Sequence, residues 1–453
     1  MMRLSEAARA ISAEHRGEDH AFEAVCTDTR ELVPRALFVA LKGERFDGHE
    51  FLGTAAGKAA GALVHDVTKL PAGLPALVAD DTRLALGRLA AYWRGKFAAP
   101  LVALTGSNGK TTVKEMLASI LRAAGANDAV LATRGNLNND IGVPLTLLEI
   151  RSGHRYCVVE MGMNHAGEIR HLARLAAPDV VLITNAGSAH IEFFGSEEAI
   201  ARAKGEIFEG LGAGGTAVIN ADDRHAALWR GLASGRRVVD FGIERKASVT
   251  ATYALRHLES EIVVKTPLGE AATVLRAPGV HNVRNALAAS AAAVALEVPA
   301  PVIAQGLARF SGIRGRLQKK TCKNNAILID DSYNANPESV RAAIDVLATC
   351  PAPTILVLGD MGELGPRSPG FHRDVGAYAR SRNISSLFAM GDATRDTVAA
   401  FGVAGAHASS LDDLLQMIRA SATPAATLLV KGSRFMRMER VVAALTGEQA
   451  GVH

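Results

Sequence analysis

The stretch LVALTGSNGKTTVKEML, Leu101–Leu117, decides how the chain is read. Leu101 to Leu104 is an apolar run, the signature of a strand covered on both faces. Thr105 to Gly109 follows as a glycine loop, and Lys110 opens a helix that continues through Val113 to Arg122. Strand, glycine loop and helix in that order form a phosphate site. Gly106 and Gly109 can take positive φ, so backbone N–H groups from Gly106, Ser107, Asn108 and Gly109 approach an anion closely. The helix start adds roughly +0.5 of partial charge. Lys110 can neutralise β- and γ-oxygens, the Thr111 hydroxyl can reach a Mg2+ ion, and Thr112 completes the phosphate loop. The usual G-x-x-x-x-G-K spacing would need glycine at 104, where this chain has Leu104. The loop is therefore shorter than that of common kinases and GTPases.

Working outward, further apolar runs mark an α/β chain. YCVVEMG (156–162) and DVVLITNAG (179–187) read as parallel strands beside Leu101–Leu104. Short strand-like pieces lie at Leu37–Leu41, Ala62–His65 and Ala76–Ala79, and an antiparallel patch is expected between Ala247 and Arg276. From Arg314 onward AILIDDS, TILVLGD, SLFAMGD and TLLVKGS each read as strand then turn, followed by helix, which is a doubly wound pattern. The expectation is α/β with three domains. These are a small α/β N-terminal domain at 1–82, a central parallel-sheet P-loop-type ATPase domain at 83–313, and a C-terminal Rossmann-like domain at 314–453. The glycine- and arginine-rich Ser311–Gln318 is the expected hinge.

Composition narrows the function classes. The 453 residues exceed what one ordinary core holds. Fifty basic residues stand against 46 acidic ones, a net +4 with no long basic run, which argues against nucleic acid as a partner. Cys26, Cys157, Cys322 and Cys350 show no C-x-x-C spacing, so free thiols in a reducing, cytoplasmic setting are expected. The N-terminus shows no apolar signal segment, and Ala286–Leu296, the longest apolar stretch, falls short of the ~20 residues needed to cross a bilayer. No membrane insertion is expected.

Two side chains fall where a metal ligand belongs. Glu160 ends a strand beside the phosphate loop, the place for a Mg2+ ligand. His190, in TNAGSAHIEFFGS, follows the next strand and reaches the same sheet edge, although Mg2+ prefers oxygen. Lys204, on the helical pattern ARAKGEIFEGL (201–211), would by default be a solvated lysine.

The loop TGSNGKTT resembles the T-G-[ST]-x-G-K-T-[TS] loop of Mur ligases and folylpolyglutamate synthetases, and the likeness to Mur ligases runs through nearly the whole chain. It includes EMGMNHAGEI, TRGNLNNDIGVPLTLL, GVHNVRNALAA, RGRLQ, IDDSYNANPES, LVLGDMGELG and LLVKGSRFMRME. The resemblance implies an ATP-dependent ligase that uses two Mg2+ ions, held by Thr111, Glu160, His190 and Lys204, with Lys204 carbamylated. It implies that His281, Asn282 and Asn285 meet adenine, that Asp331 lies near the ribose, and that Tyr333, Asn334 and Asn336 lie close to ATP. Arg316 would reach the γ-phosphate, and Asn138 and Asn139 would sit near substrate or phosphate. Lys110, Lys204, His190 and Arg316 are the implied catalytic set. DSYNANP resembles the branch that joins D-alanyl-D-alanine to UDP-N-acetylmuramoyl-tripeptide, with Lys431 and Arg434 toward the incoming dipeptide. DTRELVPRALFVALKGERFDGHEF (28–51) would hold the UDP end, through Asp28, Thr29, Arg30, Phe46, Asp47, Gly48 and His49. Arg35 departs from the pattern, because relatives usually carry glycine there.

The implied chemistry is activation of a carboxylate as an acyl phosphate, attack by an amine, and loss of phosphate. Lys110 and Arg316 lie on different expected domains, so closure of the C-terminal domain onto the central one is expected to complete the site. A monomer acting on small molecules is implied. Another Mur ligase, a folylpolyglutamate synthetase, a small-molecule kinase and a nucleotide-switched binding module stay open at this point.

Overall fold

A computed structural model describes residues 1–44, 46–187 and 191–448. The chain separates into two compact units. One is Met1–Leu104 with Asp128–Val181 and Glu206–Thr216; the other is Thr105–Asn127 with Leu182–Gly205 and Ala217–His453.

Near the N-terminus five strands lie in the order Glu14–Arg16, Ala76–Val78, Gly61–Val64, Ala36–Val39, Ala24–Cys26. The first pairing is antiparallel and the rest are parallel. The three expected strands are present, displaced by a residue or two. One face of this sheet packs Phe38, Leu52, Val64 and Ala76 into a small core. Arg35, the departure noted in the sequence, takes φ +60°. Backbone bonds fix it there: its N–H donates to Lys58 O and its carbonyl accepts from Glu23 N. Glycine adopts that conformation freely, which accounts for the glycine expected at this turn.

The central sheet has six strands, in the order Arg237–Phe241, Thr216–Asn220, Val180–Ile183, Leu101–Thr105, Tyr156–Glu160, Val130–Ala132. Glu160 pairs in register with Leu104, the last residue before Thr105 and the loop. The helix Lys110–Leu121 begins where the sequence places it. The antiparallel patch is three strands, Thr250–Leu255, Ser260–Thr266 and Gly269–Leu275. The expected helix over 201–211 is different. It runs Glu197–Gly205, and Glu206–Gly210 tightens into a 3₁₀ turn. The Glu206 carboxylate accepts from Gly167 N–H, where it caps the helix Glu168–Ala176. A carboxylate at a helix N-terminus is favoured by the exposed N–H groups there, and that partner is distant in sequence.

The C-terminal sheet runs Gln318–Thr321, Ile327–Asp331, Thr427–Lys431, Thr354–Gly359, Ser386–Met390, Gly405–Ala408. Only the first pairing is antiparallel. The four strands read from sequence fill its middle. The chain advances from Thr354–Gly359 to the edge, then returns to insert Thr427–Lys431 beside Ile327–Asp331. Such a reversal opens a crevice at the carboxyl ends of the strands. Asp331 and Lys431 are register partners there.

Arg35→Gly is expected to raise stability by up to about 1 kcal/mol. It relieves a left-handed strain of ~1–2 kcal/mol, partly offset by the greater freedom of glycine in the unfolded chain. The midpoint of urea denaturation measures it.

Candidate active site

The phosphate loop is held by the strand end that follows Val180–Ile183. Asn185 grips Asn108 as a strand neighbour would: its Oδ1 accepts from Asn108 N at 2.9 Å, and its Nδ2 donates to Asn108 O at 3.1 Å. Thr184 Oγ1 donates to the same carbonyl at 2.7 Å, and Ser107 N donates to Asn185 O at 3.0 Å. Asn220 in turn donates to Thr184 O at 2.8 Å. Gly109 takes φ +81°, and a Cβ there would lie 2.3 Å from Asn285 Oδ1. Asn285 donates to Asn282 Oδ1, and Asn282 donates to Pro278 O. Lys110 Nζ folds back on the loop, donating to Gly106 O at 2.6 Å. Thr112 is buried at the start of the helix.

Two groups from beyond residue 313 reach this loop. Arg316 Nη2 donates to Thr111 Oγ1 at 3.1 Å, and Asn336 Nδ2 donates to Asn108 Oδ1 at 2.8 Å. Asn336 also caps the helix Pro337–Ala348 in a capping box with Ser339. The Arg316 guanidinium lies 4.4 Å from the Tyr333 ring centre. Asp331 is buried: it accepts from Lys431 Nζ at 2.6 Å and from Leu317 N at 3.1 Å. Burial pushes the Asp331 carboxyl upward, and the Lys431 ammonium works against that. Lys431 also donates to Asn334 O at 2.9 Å. The Asn334 side chain accepts from Ala335 N. Burial, then the Lys431 and Arg284 cations, push the His281 imidazole down to about 4. Arg434 pairs with Glu439 at 3.0 Å.

Lys204 is 2% exposed. Burial first, and the Lys110 ammonium second, push its ammonium well below the ordinary lysine range. The default of a solvated lysine is thereby overturned. His190 lies outside the described residues.

In the other unit, Glu160 is buried, and its Oε1 accepts from Asn138 Nδ2 at 2.9 Å. Asn139 Oδ1 accepts from Gly142 N at 2.8 Å, at the start of the helix Gly142–Leu148. Asp28 and Arg30 pair with each other, which holds the Asp28 carboxyl down at about 2. Thr29 lies in the turn between them. Phe46 is exposed. Asp47 caps the 3₁₀ turn Gly48–Phe51. His49 is turned inward: Nδ1 donates to Asp47 Oδ1 at 2.7 Å, and Nε2 accepts from His65 N at 3.1 Å. By type, the Glu160 carboxylate is a hard oxygen ligand that suits Mg2+, and so, in the unit of the phosphate loop, is the Thr111 hydroxyl. Among the described residues no three His, Cys, Asp or Glu side chains cluster as a metal site.

Thr184, Asn185 and Asn220 were not singled out in the sequence. Their signal was position, since each stands at the carboxyl end of a parallel strand.

The sequence profile of the Mur ligase middle domain matches residues 104–293, and that of the Mur ligase glutamate ligase domain matches residues 315–434. The UDP-N-acetylmuramoyl-tripeptide–D-alanyl-D-alanine ligase of Escherichia coli is 43% identical over 447 residues, covering 98% of each chain. That of Bacillus subtilis is 34% identical over 460 residues, covering 97% of this chain and 96% of its own. A MurF crystal structure from Acinetobacter baumannii superposes with TM-score 0.91 at 36% identity, covering 98% of each chain. A MurF structure from Thermotoga maritima in complex with ADP gives TM-score 0.82 at 27% identity, covering 94% of this chain and 97% of that one.

Gly109→Ala is expected to weaken ATP binding at least tenfold, because it places a side chain against Asn285 and adds ~1–2 kcal/mol of left-handed strain. Titration calorimetry measures it. His281 stays neutral in the fold while the unfolded chain takes up a proton near pH 6.5, so its stabilising share is full above that pH. It is lost progressively as pH falls toward 4. His281→Gln is expected to flatten that part of the stability profile, read as melting temperature at pH 7.5 and pH 5.

Proposed function

Since the chain belongs to the Mur ligase family, with its three-domain α/β architecture, we propose that it joins D-alanyl-D-alanine to UDP-N-acetylmuramoyl-tripeptide at the expense of ATP. The product is the UDP-linked pentapeptide precursor of peptidoglycan, with ADP and phosphate released. The domains are taken as 1–82 for the UDP end, 83–313 for ATP and 314–453 for the dipeptide. The enzyme works as a monomer in the cytoplasm, on soluble substrates. No helix among the described residues is long and apolar enough to cross a membrane.

The observation that carries the reading is the meeting of two cations on one loop. Lys110 starts the loop helix, and Arg316 arrives from beyond residue 313 to bond Thr111 at 3.1 Å. The tripeptide carboxylate is a poor electrophile until phosphorylated. As the γ-phosphoryl group moves to it, negative charge spreads over the transferring oxygens, and Lys110 and Arg316 neutralise that charge. Loop N–H groups from Gly106 to Thr112 hold the phosphates. Asn282 and Asn285 lie toward adenine, Asp331 toward the ribose, and Asn334 and Asn336 beside the nucleotide. The dipeptide amine then attacks the acyl phosphate, and the tetrahedral adduct expels phosphate. Closure of the C-terminal domain keeps water from the acyl phosphate.

Thr111, Glu160, His190 and Lys204 are the residues proposed to hold two Mg2+ ions, which supply charge neutralisation at the phosphates. Lys204 fits carbamylation because a buried lysine with a lowered pKa keeps the neutral amine that reacts with CO2. Asn138 orients Glu160. Asp28, Thr29, Arg30 and the segment Phe46–His49 take the UDP end, with exposed Phe46 offering a ring face. Asn139, Lys431 and Arg434 bear on the substrate peptide.

Incubation with ATP, Mg2+, UDP-linked tripeptide and D-alanyl-D-alanine is expected to give the pentapeptide by mass analysis. A phosphorylated product with no amide would instead indicate a kinase. Lys110→Ala and Arg316→Ala are each expected to lower kcat by about 10²–10³-fold.

A further inference from the structure

Two guanidinium groups lie near the Tyr333 ring. Arg316 lies 4.4 Å from its ring centre and Arg434 lies 5.9 Å from it. Both distances fall within the range over which an aromatic face attracts a cation. The two arginines have different outer partners: Arg316 donates to Thr111 on the phosphate loop, and Arg434 is anchored by Glu439. The Tyr333 backbone is itself fixed. Tyr333 N donates to Gly315 O at 3.1 Å, and Gly315 takes φ +71°, with its missing Cβ 3.3 Å from that of Tyr333. The segment bearing Arg434 is fixed as well, through Ser433 Oγ to Ala335 O at 3.1 Å and Ser433 N to Asp360 O at 3.0 Å. Lys431, the other cation of that segment, bonds Asp331 and Asn334. Arg434 is thus the basic group of this strand end with a side chain still 40% exposed.

We propose that Tyr333 is a positioning residue whose ring holds both the phosphate-side arginine, Arg316, and the dipeptide-side arginine, Arg434. The ring links the phosphoryl-transfer end of the site to recognition of the dipeptide carboxylate. This rests on the ligase reading above. The two arginines carry like charge, and a neutral ring attracts each of them without adding a charge of its own.

The test is steady-state kinetics on the full chain, with ATP, UDP-linked tripeptide and D-alanyl-D-alanine varied in turn. Tyr333→Leu is expected to raise KM for the dipeptide about tenfold and lower kcat about tenfold, leaving KM for the UDP-linked tripeptide within twofold. Tyr333→Phe, which keeps the ring, is expected to stay within about threefold on every parameter. Tyr333→Gln serves as a second ring-less variant should the leucine variant not fold, as judged by circular dichroism. Unchanged kinetics in a folded ring-less variant would overturn the proposal, as would equal losses in the phenylalanine variant or equal rises in all three KM values. If the unaltered enzyme made no pentapeptide, the ligase reading itself would fail, which is a separate outcome.

Discussion

Asn108 is gripped from two directions, and the rest of the site depends on that grip. Its peptide N–H and C=O are both paired with the Asn185 amide, and Thr184 shares its carbonyl. An amide side chain here completes a ladder that the backbone alone could not make, because the loop has already left the sheet. The same closeness forbids side chains on either side. A Cβ on Gly106 would lie 1.8 Å from Thr184 Oγ1, and one on Gly109 would meet Asn285. The loop is preorganised for an anion before one arrives, so its donors need little reorganisation during reaction. Asn336 then bonds the side chain of the same residue, so the C-terminal domain rests on a fixed point.

The C-terminal sheet solves a related problem with a buried ion pair. Asp331 and Lys431 face each other where the strand order reverses. Removing both charges from water is costly, and such a pair is weak evidence of stability. Its value here is geometric. Asp331 also accepts from Leu317 N, and Lys431 also donates to Asn334 O. One pair thereby ties Leu317, the DSYNANP segment and the strand end at 431 together. Lys431 thus bonds Asp331 and Asn334, while the neighbouring Arg434 pairs with Glu439.

Much of this was legible in sequence, and the reasons differ by element. Buried parallel strands such as Leu101–Thr105 and Thr354–Gly359 read as unbroken apolar runs, so they were visible. Val130–Ala132 is three residues long, and Arg237–Phe241 is a sheet edge with exposed positions; neither has an apolar run to find. The phosphate loop was legible because glycine, lysine and threonine spacing carries its own chemistry. The clamp from Asn185 was not, since asparagine after a strand more often means only a turn. Arg35 was seen as a departure, but only its φ of +60° explains why glycine is expected there. The inward turn of His49 and the break after Gly205 depend on partners distant in sequence, His65 for one and Gly167 for the other.

Lys204 shows why a buried base near the phosphates calls for a change of sign. As an ammonium it would stand beside Lys110 in a region with little water, and like charges there repel strongly. As a neutral amine it escapes that repulsion but contributes nothing to holding a cation. As the proposed carbamate it would carry negative charge, turning the repulsion from Lys110 into attraction and adding hard oxygen ligands for Mg2+. The arrangement that penalises the unmodified cation is therefore the one that favours the modified anion. Burial supplies the reactive neutral amine, and the nearby cation would stabilise the proposed carbamate.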